Sequence, residues 1–103
     1  MPSRPPTVPQ VVGVLGLARA AGEAGAALPG QPWVAARLER RVTWRLDRSR
    51  WLLALDAAVI VDLPYGDFRL LQRGDALELP AGVEMAVQPV GEGVSLLWHD
   101  VGG

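Results

Sequence analysis

The sequence predicts an all-β, single-domain protein folded as a sandwich or barrel, and three observations predict it. Short apolar runs follow one another from Trp33 to Asp100, about eight of them at spacings of roughly 8 to 12 residues. Within several runs apolar and polar residues alternate with period two, the signature of a half-buried strand. Between the runs stand turn formers: Pro64 with Gly66, Gly74, Pro80 with Gly82, and Gly91 with Gly93. With 103 residues the chain fits one domain, and a domain of that size buries roughly 65% of its unfolded surface, enough for a real core.

At the N-terminus Pro2, Pro5, Pro6 and Pro9 deny residues 1 to 10 both helix and ladder hydrogen bonds, so an extended, loosely held tail is expected. Val11 to Ala27 is apolar and Ala-rich and predicts a weak helix, weak because Gly13, Gly16, Gly22 and Gly25 each cost about 1 kcal/mol against Ala. Val11 to Ala18 has the length of a secretory hydrophobic region. Four prolines and a single Arg make a poor charged segment before it, however, and Arg19 stops a membrane span, so a cytoplasmic protein without membrane attachment is expected.

From Trp33 to Leu46 the residues Val34, Ala36, Leu38, Val42, Trp44 and Leu46 share one parity, and Arg37, Glu39, Arg41, Thr43 and Arg45 the other. Val34, Leu38, Val42 and Leu46 are also spaced by four, which admits a helix, but Val42, Thr43 and Trp44 are strand formers and Arg40 in the apolar class marks a break between two strands. Trp51 to Leu55 and Ala58 to Leu63 are nearly continuous apolar runs. Both faces of each are expected to be covered, as in a sandwich core or at a subunit interface. Strands follow at Phe68 to Leu71, Ala76 to Leu79, Val83 to Gln88 and Val94 to Asp100. The chain therefore divides into an N-terminal tail or arm, residues 1 to 32, and a β-barrel domain, residues 33 to 103.

Composition narrows the function classes. Apolar residues make up 50% and charged residues 20%, a globular balance that argues against disorder, and the net charge of −1 offers no global field for nucleic acid or an anionic membrane. The absence of cysteine removes disulfides, thiolate metal sites and a cysteine nucleophile together. A local exception is the stretch Arg37 to Arg50, with six Arg against Glu39 and Asp47. Because the chain from Trp51 onward carries eight acidic residues and two Arg, pairing with Asp56, Asp62, Glu78 or Glu84 is the plainer account, and no nucleic-acid partner is expected.

Gly74, Asp75, Ala76, Leu77, Glu78, Leu79, Pro80, Ala81 and Gly82 resemble the second sequence motif of the cupin superfamily, in which Gly, five residues, Pro, one residue and Gly precede a metal-binding His. The resemblance covers about residues 33 to 100 and implies an all-β, cupin-like double-stranded β-helix, a jelly-roll barrel, with a short N-terminal segment read as a weak helix. The family's His falls at Met85 and its Asn at Pro89. Its first motif falls on Thr43, Arg45, Ser49 or Arg50, and Asp56 or Ala57. None is the expected ligand, and Arg offers only donors and positive charge, so no metal and no cofactor are expected.

Two readings of the strand at residues 41 to 46 conflict. The motif comparison points Thr43 and Arg45 inward, whereas the apolar parity points Val42, Trp44 and Leu46 inward, and one strand cannot do both. An inward Arg45 would need an anionic partner, either a barrel carboxylate or a bound carboxylate or phosphate. An inward Trp44 would leave the barrel simply packed.

The leading expectation is a non-catalytic homodimeric module that binds a small organic ligand, anionic or sugar-like, in the barrel mouth, with Trp44, Arg45, Arg50 and Met85 lining it. His99, the one side chain titrating near neutrality, carries the alternative of a metal-independent isomerase or epimerase. Metal-free epimerases of the cupin fold pair such a His with an acid, and Asp100, its neighbour on a strand, points to the opposite face. A third reading is a structural or interaction protein with a filled barrel. Trp33, Trp44, Trp51 and Trp98 suit core or interface more than sugar stacking.

Overall fold

The computed structural model describes residues 9 to 102. The proline-rich tail lies, through Val8, outside the described residues. Helix α1 spans Val14–Ala21 and is followed by a 3₁₀ turn, Gly22–Ala24. Nine strands come next: β1 Ala26–Ala27, β2 Trp33–Leu38, β3 Val42–Arg45, β4 Arg50–Ala54, β5 Val59–Asp62, β6 Phe68–Leu71, β7 Ala76–Leu79, β8 Glu84–Pro89 and β9 Val94–Asp100. They form two antiparallel sheets, one in the order β1-β2-β9-β4-β7 and the other β3-β8-β5-β6. Neighbours in a sheet are seldom neighbours in sequence, the mark of a jelly roll, whose strands cross between two facing sheets.

The strand expected at 33 to 46 is two strands interrupted at Glu39 to Arg41, beside the break that Arg40 predicted. Helix α1 is shorter than the expected Val11 to Ala27. Gly22, at φ 64°, ends it with its N–H donated to the Ala18 carbonyl, and Gly25, at φ 79°, turns the chain into β1. Gly25 also admits a close approach, because a Cβ there would stand 2.6 Å from Val34 Cγ1. Val14, Leu17, Ala18 and Ala21 recur at helical spacing, and α1 packs on the outer face of β2 and β9, where Ala18 and Ala35 are fully buried. The segment expected as a tail or arm thus gives α1 and β1 to the outside of the larger sheet. The two-residue β1 has no period for a sequence pattern to show.

Between the sheets, Leu38, Leu52, Val59, Val61, Leu79, Met85, Val87, Val94 and Leu96 are fully or almost fully buried and form one continuous core. Each belongs to the inward parity of its strand. The outward parity of the long apolar runs leaves Trp51 exposed and Leu53 half-buried on the larger sheet, and Ile60 half-buried on the smaller. Behind the core, Arg37 and Asp56 meet Ser95, which is fully buried although it points out of the larger sheet. Asp56 accepts the Ser95 N–H at 2.7 Å, and Arg37 donates to Ser95 Oγ at 3.2 Å with Asp56 Oδ2 3.6 Å away. Among the described residues no helix is long and apolar enough to cross a membrane.

Candidate functional site

On β3 the apolar parity prevails. Val42 is buried and Trp44 half-buried on the core side, while Thr43 and Arg45 are exposed on the other, which corrects the inward placement suggested by the motif comparison. Trp44 stands opposite Met85 on β8, and Trp98 stands opposite Leu52 on β4, so both indoles face inward at the same end of the barrel. Their rings meet edge to face with centroids 5.2 Å apart.

Arg50, at the start of β4, has the inward parity of Leu52 and Ala54 and projects over this pair. Its guanidinium carbon lies 4.9 Å from the Trp44 ring centroid and 4.6 Å from that of Trp98. Arg50 stands opposite Asp100 on β9, whose two carboxylate oxygens accept from its Nε and a terminal nitrogen at 2.5 and 3.1 Å. Two indole faces and a bidentate carboxylate hold the cation, whose side chain is 15% exposed.

The β3–β4 loop, residues 46 to 49, closes this end. Leu46 is buried, its carbonyl accepts the Gly82 N–H at 2.8 Å, and the Ser49 carbonyl accepts the Val101 N–H at 2.7 Å. The loop thereby brings Arg45 and Arg48 beside Arg50 around a cavity of about 310 Å³, lined also by Leu46, Asp47 and Asp100. Among the described residues Arg45 and Arg48 make no ion pair, whereas Arg37, Arg40, Arg41 and Arg50 from the same Arg-rich stretch are paired with Asp56 and Glu39, Glu23, Asp62 and Asp100. The pairing partners expected from the sequence included Asp56 and Asp62, while Glu78 and Glu84 make none among the described residues.

Of the four residues expected to line the mouth, Arg50 projects over it, Arg45 turns outward from β3 and borders only the cavity beside it, and Trp44 reaches it only through the stacked guanidinium. Met85 is withdrawn: it is 2% exposed and part of the core, and it borders instead a separate cavity of about 340 Å³ with Arg41, Thr43 and Asp62. His99 faces outward from the larger sheet, opposite in parity to Trp98, with its ring 5.1 Å from that of Trp33. Its ring is therefore turned away from the mouth, although Asp100 is its neighbour in sequence, as strand alternation demands. Trp98, Arg48 and Asp100 were not among the residues expected at the mouth, although Trp98 was expected in a core or interface and Arg48 in the Arg-rich stretch. The signal for Trp98 and Asp100 was their shared parity on the last strand, which becomes a contact with Arg50 only once β9 is known to pair with β4.

The residues at the family's ligand positions do not fit a divalent cation. Thr43 and Arg45 point away from the barrel, Arg50 puts a fixed positive charge in the mouth, and Met85 offers a buried thioether to a site that would need imidazole or carboxylate donors. Among the described residues no three His, Asp or Glu side chains gather as a metal cluster.

The hydrogen bonds from Arg50 hold the Asp100 carboxyl below its ordinary range; burial opposes them, and the weaker pulls of the Arg50, His99 and Arg48 charges add to the lowering. A carboxylate lowered in the folded state favours folding above the unfolded value of about 3.9, and that contribution is lost as pH falls through the lower folded value. Asp100→Asn should therefore flatten the acid limb of the stability curve below about pH 4, read by urea unfolding across pH. An unaltered limb would mean that the pair does not form in solution.

No family model matches the sequence, and no curated protein matches it. Solved structures do. Protein NMB1881 from Neisseria meningitidis superposes with a TM-score of 0.75 at 13% identity, over 90% of this chain and all of the other. A cupin-2 domain protein from Shewanella frigidimarina gives 0.60 at 15% identity, over 74% of this chain and 76% of that one. Hydroquinone 1,2-dioxygenase from Sphingomonas sp. TTNP3, with 4-hydroxybenzoate bound, gives 0.64 at 17% identity, over 98% of this chain and 84% of the other. These likenesses establish the architecture: the chain has the cupin fold, a jelly roll of two antiparallel sheets.

Proposed function

We propose that this cupin-fold chain is a non-catalytic binding module that takes a small organic anion at the barrel mouth. The observation that carries the reading is the convergence of Arg45, Arg48 and Arg50 on one cavity of about 310 Å³, with only Asp47 and Asp100 as counter-charges and Asp100 already engaged by Arg50. That volume is at the small end of ligand sites. Arg50 supplies a rigid, positively charged floor, since its indole and carboxylate contacts fix the side chain; Arg45 and Arg48 are free to close on a carboxylate or phosphate in the bidentate manner of a guanidinium.

A protein of the same fold has been seen with an aromatic carboxylate, 4-hydroxybenzoate, bound, so ligands of this class are compatible with the architecture. The isomerase alternative finds less support, because His99 lies on the outer face against Trp33 rather than beside the cavity.

Trp44 and Trp98 lie directly behind the site, so their fluorescence reports on it. Titration with benzoate, 4-hydroxybenzoate, citrate and inorganic phosphate should give saturable quenching by at least one anion, weakened by salt. Arg48→Ala and Arg45→Ala should each loosen that anion by about tenfold, the worth of one charge-assisted hydrogen bond. The absence of any saturable response, or affinity indifferent to both substitutions, would reject the site.

A further inference from the structure

The cavity of about 340 Å³ that Met85 borders is built on side chains of the smaller sheet that point away from the core, so it is separate from the mouth. Its floor follows from register. Ala86 lies on β8 between the core residues Met85 and Val87 and therefore has the outward parity, and it stands opposite Thr43 on β3 and Asp62 on β5. A methyl group between two longer side chains, on strands about 4.8 Å apart, leaves a hollow above it. From the start of β3, Arg41 reaches over β8 to Asp62 at 2.9 Å, which walls the hollow on one side and leaves Ala86 only 6% exposed. Leu63 and Pro64 make an apolar wall, and Glu84 completes the rim.

Charge decides what the hollow can take. Arg41 and Asp62 neutralise each other, and their bond occupies only Asp62 Oδ2, leaving Oδ1 free. Glu84 makes no ion pair among the described residues, because Arg45, which stands opposite it in register, borders the cavity beside the mouth instead. One cation against two carboxylates leaves the cavity with a net charge of one negative unit. Three acceptors ring the Ala86 methyl, one from each of three adjacent strands: the exposed Thr43 hydroxyl, the Glu84 carboxylate and Asp62 Oδ1.

Independently of the anion site, we propose that this cavity binds a primary ammonium group, whose three N–H donors go to Glu84, Asp62 and Thr43 while its carbon chain lies along Leu63 and Pro64. An ammonium is a compact point charge with three donors and no acceptor, the complement of three acceptors grouped around a methyl. A guanidinium is a planar fork and meets acceptors spread around its rim less well. A carboxylate is repelled by Glu84. The volume suits a small amine. The chain holds no Lys, so a second copy has no side-chain ammonium to offer. The group therefore comes from a free amine or from a lysine of another protein.

Titration of the isotopically labelled full chain with butylammonium, followed by the NMR shifts of backbone amides, tests this. Saturable shifts are expected around Thr43, Asp62, Glu84 and Ala86. Tetramethylammonium carries the same charge without an N–H and should give none. Glu84→Gln keeps the shape and removes the charge, and should weaken butylammonium binding roughly tenfold; Thr43→Val removes only the hydroxyl and should weaken it several-fold. Both side chains are exposed, so the variants should otherwise keep the spectrum of the unaltered chain. An equal response to the two cations, shifts that sodium chloride reproduces, or unchanged affinity in Glu84→Gln would each overturn the proposal. Nα-acetyl-lysine amide separates the two sources: binding at least as tight as that of butylammonium assigns the cavity to a protein lysine, and weaker binding to a free amine. Thr43 does not line the cavity beside the mouth, so anion quenching should persist in Thr43→Val, and failure of one site leaves the other standing.

Discussion

Leu96→Ala is expected to cost about 2 to 5 kcal/mol of unfolding free energy, the range for a large-to-small change at a site that cannot collapse. Leu96 is fully buried near the middle of β9, and β9 is the central strand of the larger sheet, hydrogen-bonded to β2 on one side and β4 on the other. Neighbours paired on both sides cannot close inward without breaking ladders, so most of the cavity persists. Against a usual total of about 5 to 15 kcal/mol, the loss should lower the urea midpoint at an unchanged slope and the melting temperature by at least about 8 °C. Leu53→Ala, on the half-buried outer face, is the control and should cost clearly less. Equal losses at the two positions would mean that the barrel interior is not close-packed.

Asp56→Ala should be the most damaging polar substitution. Asp56 reaches from the β4–β5 turn to accept the N–H of Ser95 and stands beside the Arg37 guanidinium. Its removal leaves a fully buried amide without an acceptor, a loss of about 1 to 3 kcal/mol, and strips Arg37 of its better-buried carboxylate. Asp56→Asn keeps an oxygen for the Ser95 N–H while removing the charge, so it should recover a good part of that stability in the same urea experiment. If the two variants unfold alike, the charge on Asp56 matters and the amide bond does not.

The strands of this fold were legible because a half-buried strand writes its orientation into every second residue. Val42 and Trp44 declared the inner side of β3 correctly, and the motif comparison, which rests on spacing alone, misplaced Thr43 and Arg45. The same motif nonetheless located the β7 turn and the fold. What the sequence could not supply was register between distant strands. Arg50 and Asp100 are a bonded pair only because β4 lies beside β9, and nothing local to either residue announces it. Met85 illustrates the reverse failure. A position aligned with a metal ligand was expected at the surface of a pocket, yet its thioether fills core space. Charge pairing was half legible: composition required the Arg-rich stretch to find carboxylates and offered Asp56 and Asp62 among them, but only the topology could add Glu23 and Asp100 and leave Glu78 and Glu84 aside.

The guanidinium lodged between Trp44 and Trp98 gives this barrel a cation that is part of the polypeptide. A bound metal ion must be acquired after folding, can be stripped by a chelator, and leaves when its ligands take up protons. Arg50 is incorporated at synthesis and keeps its proton throughout the physiological range. The positive centre at the mouth is consequently in place as soon as the chain folds, whatever the supply of metal around it.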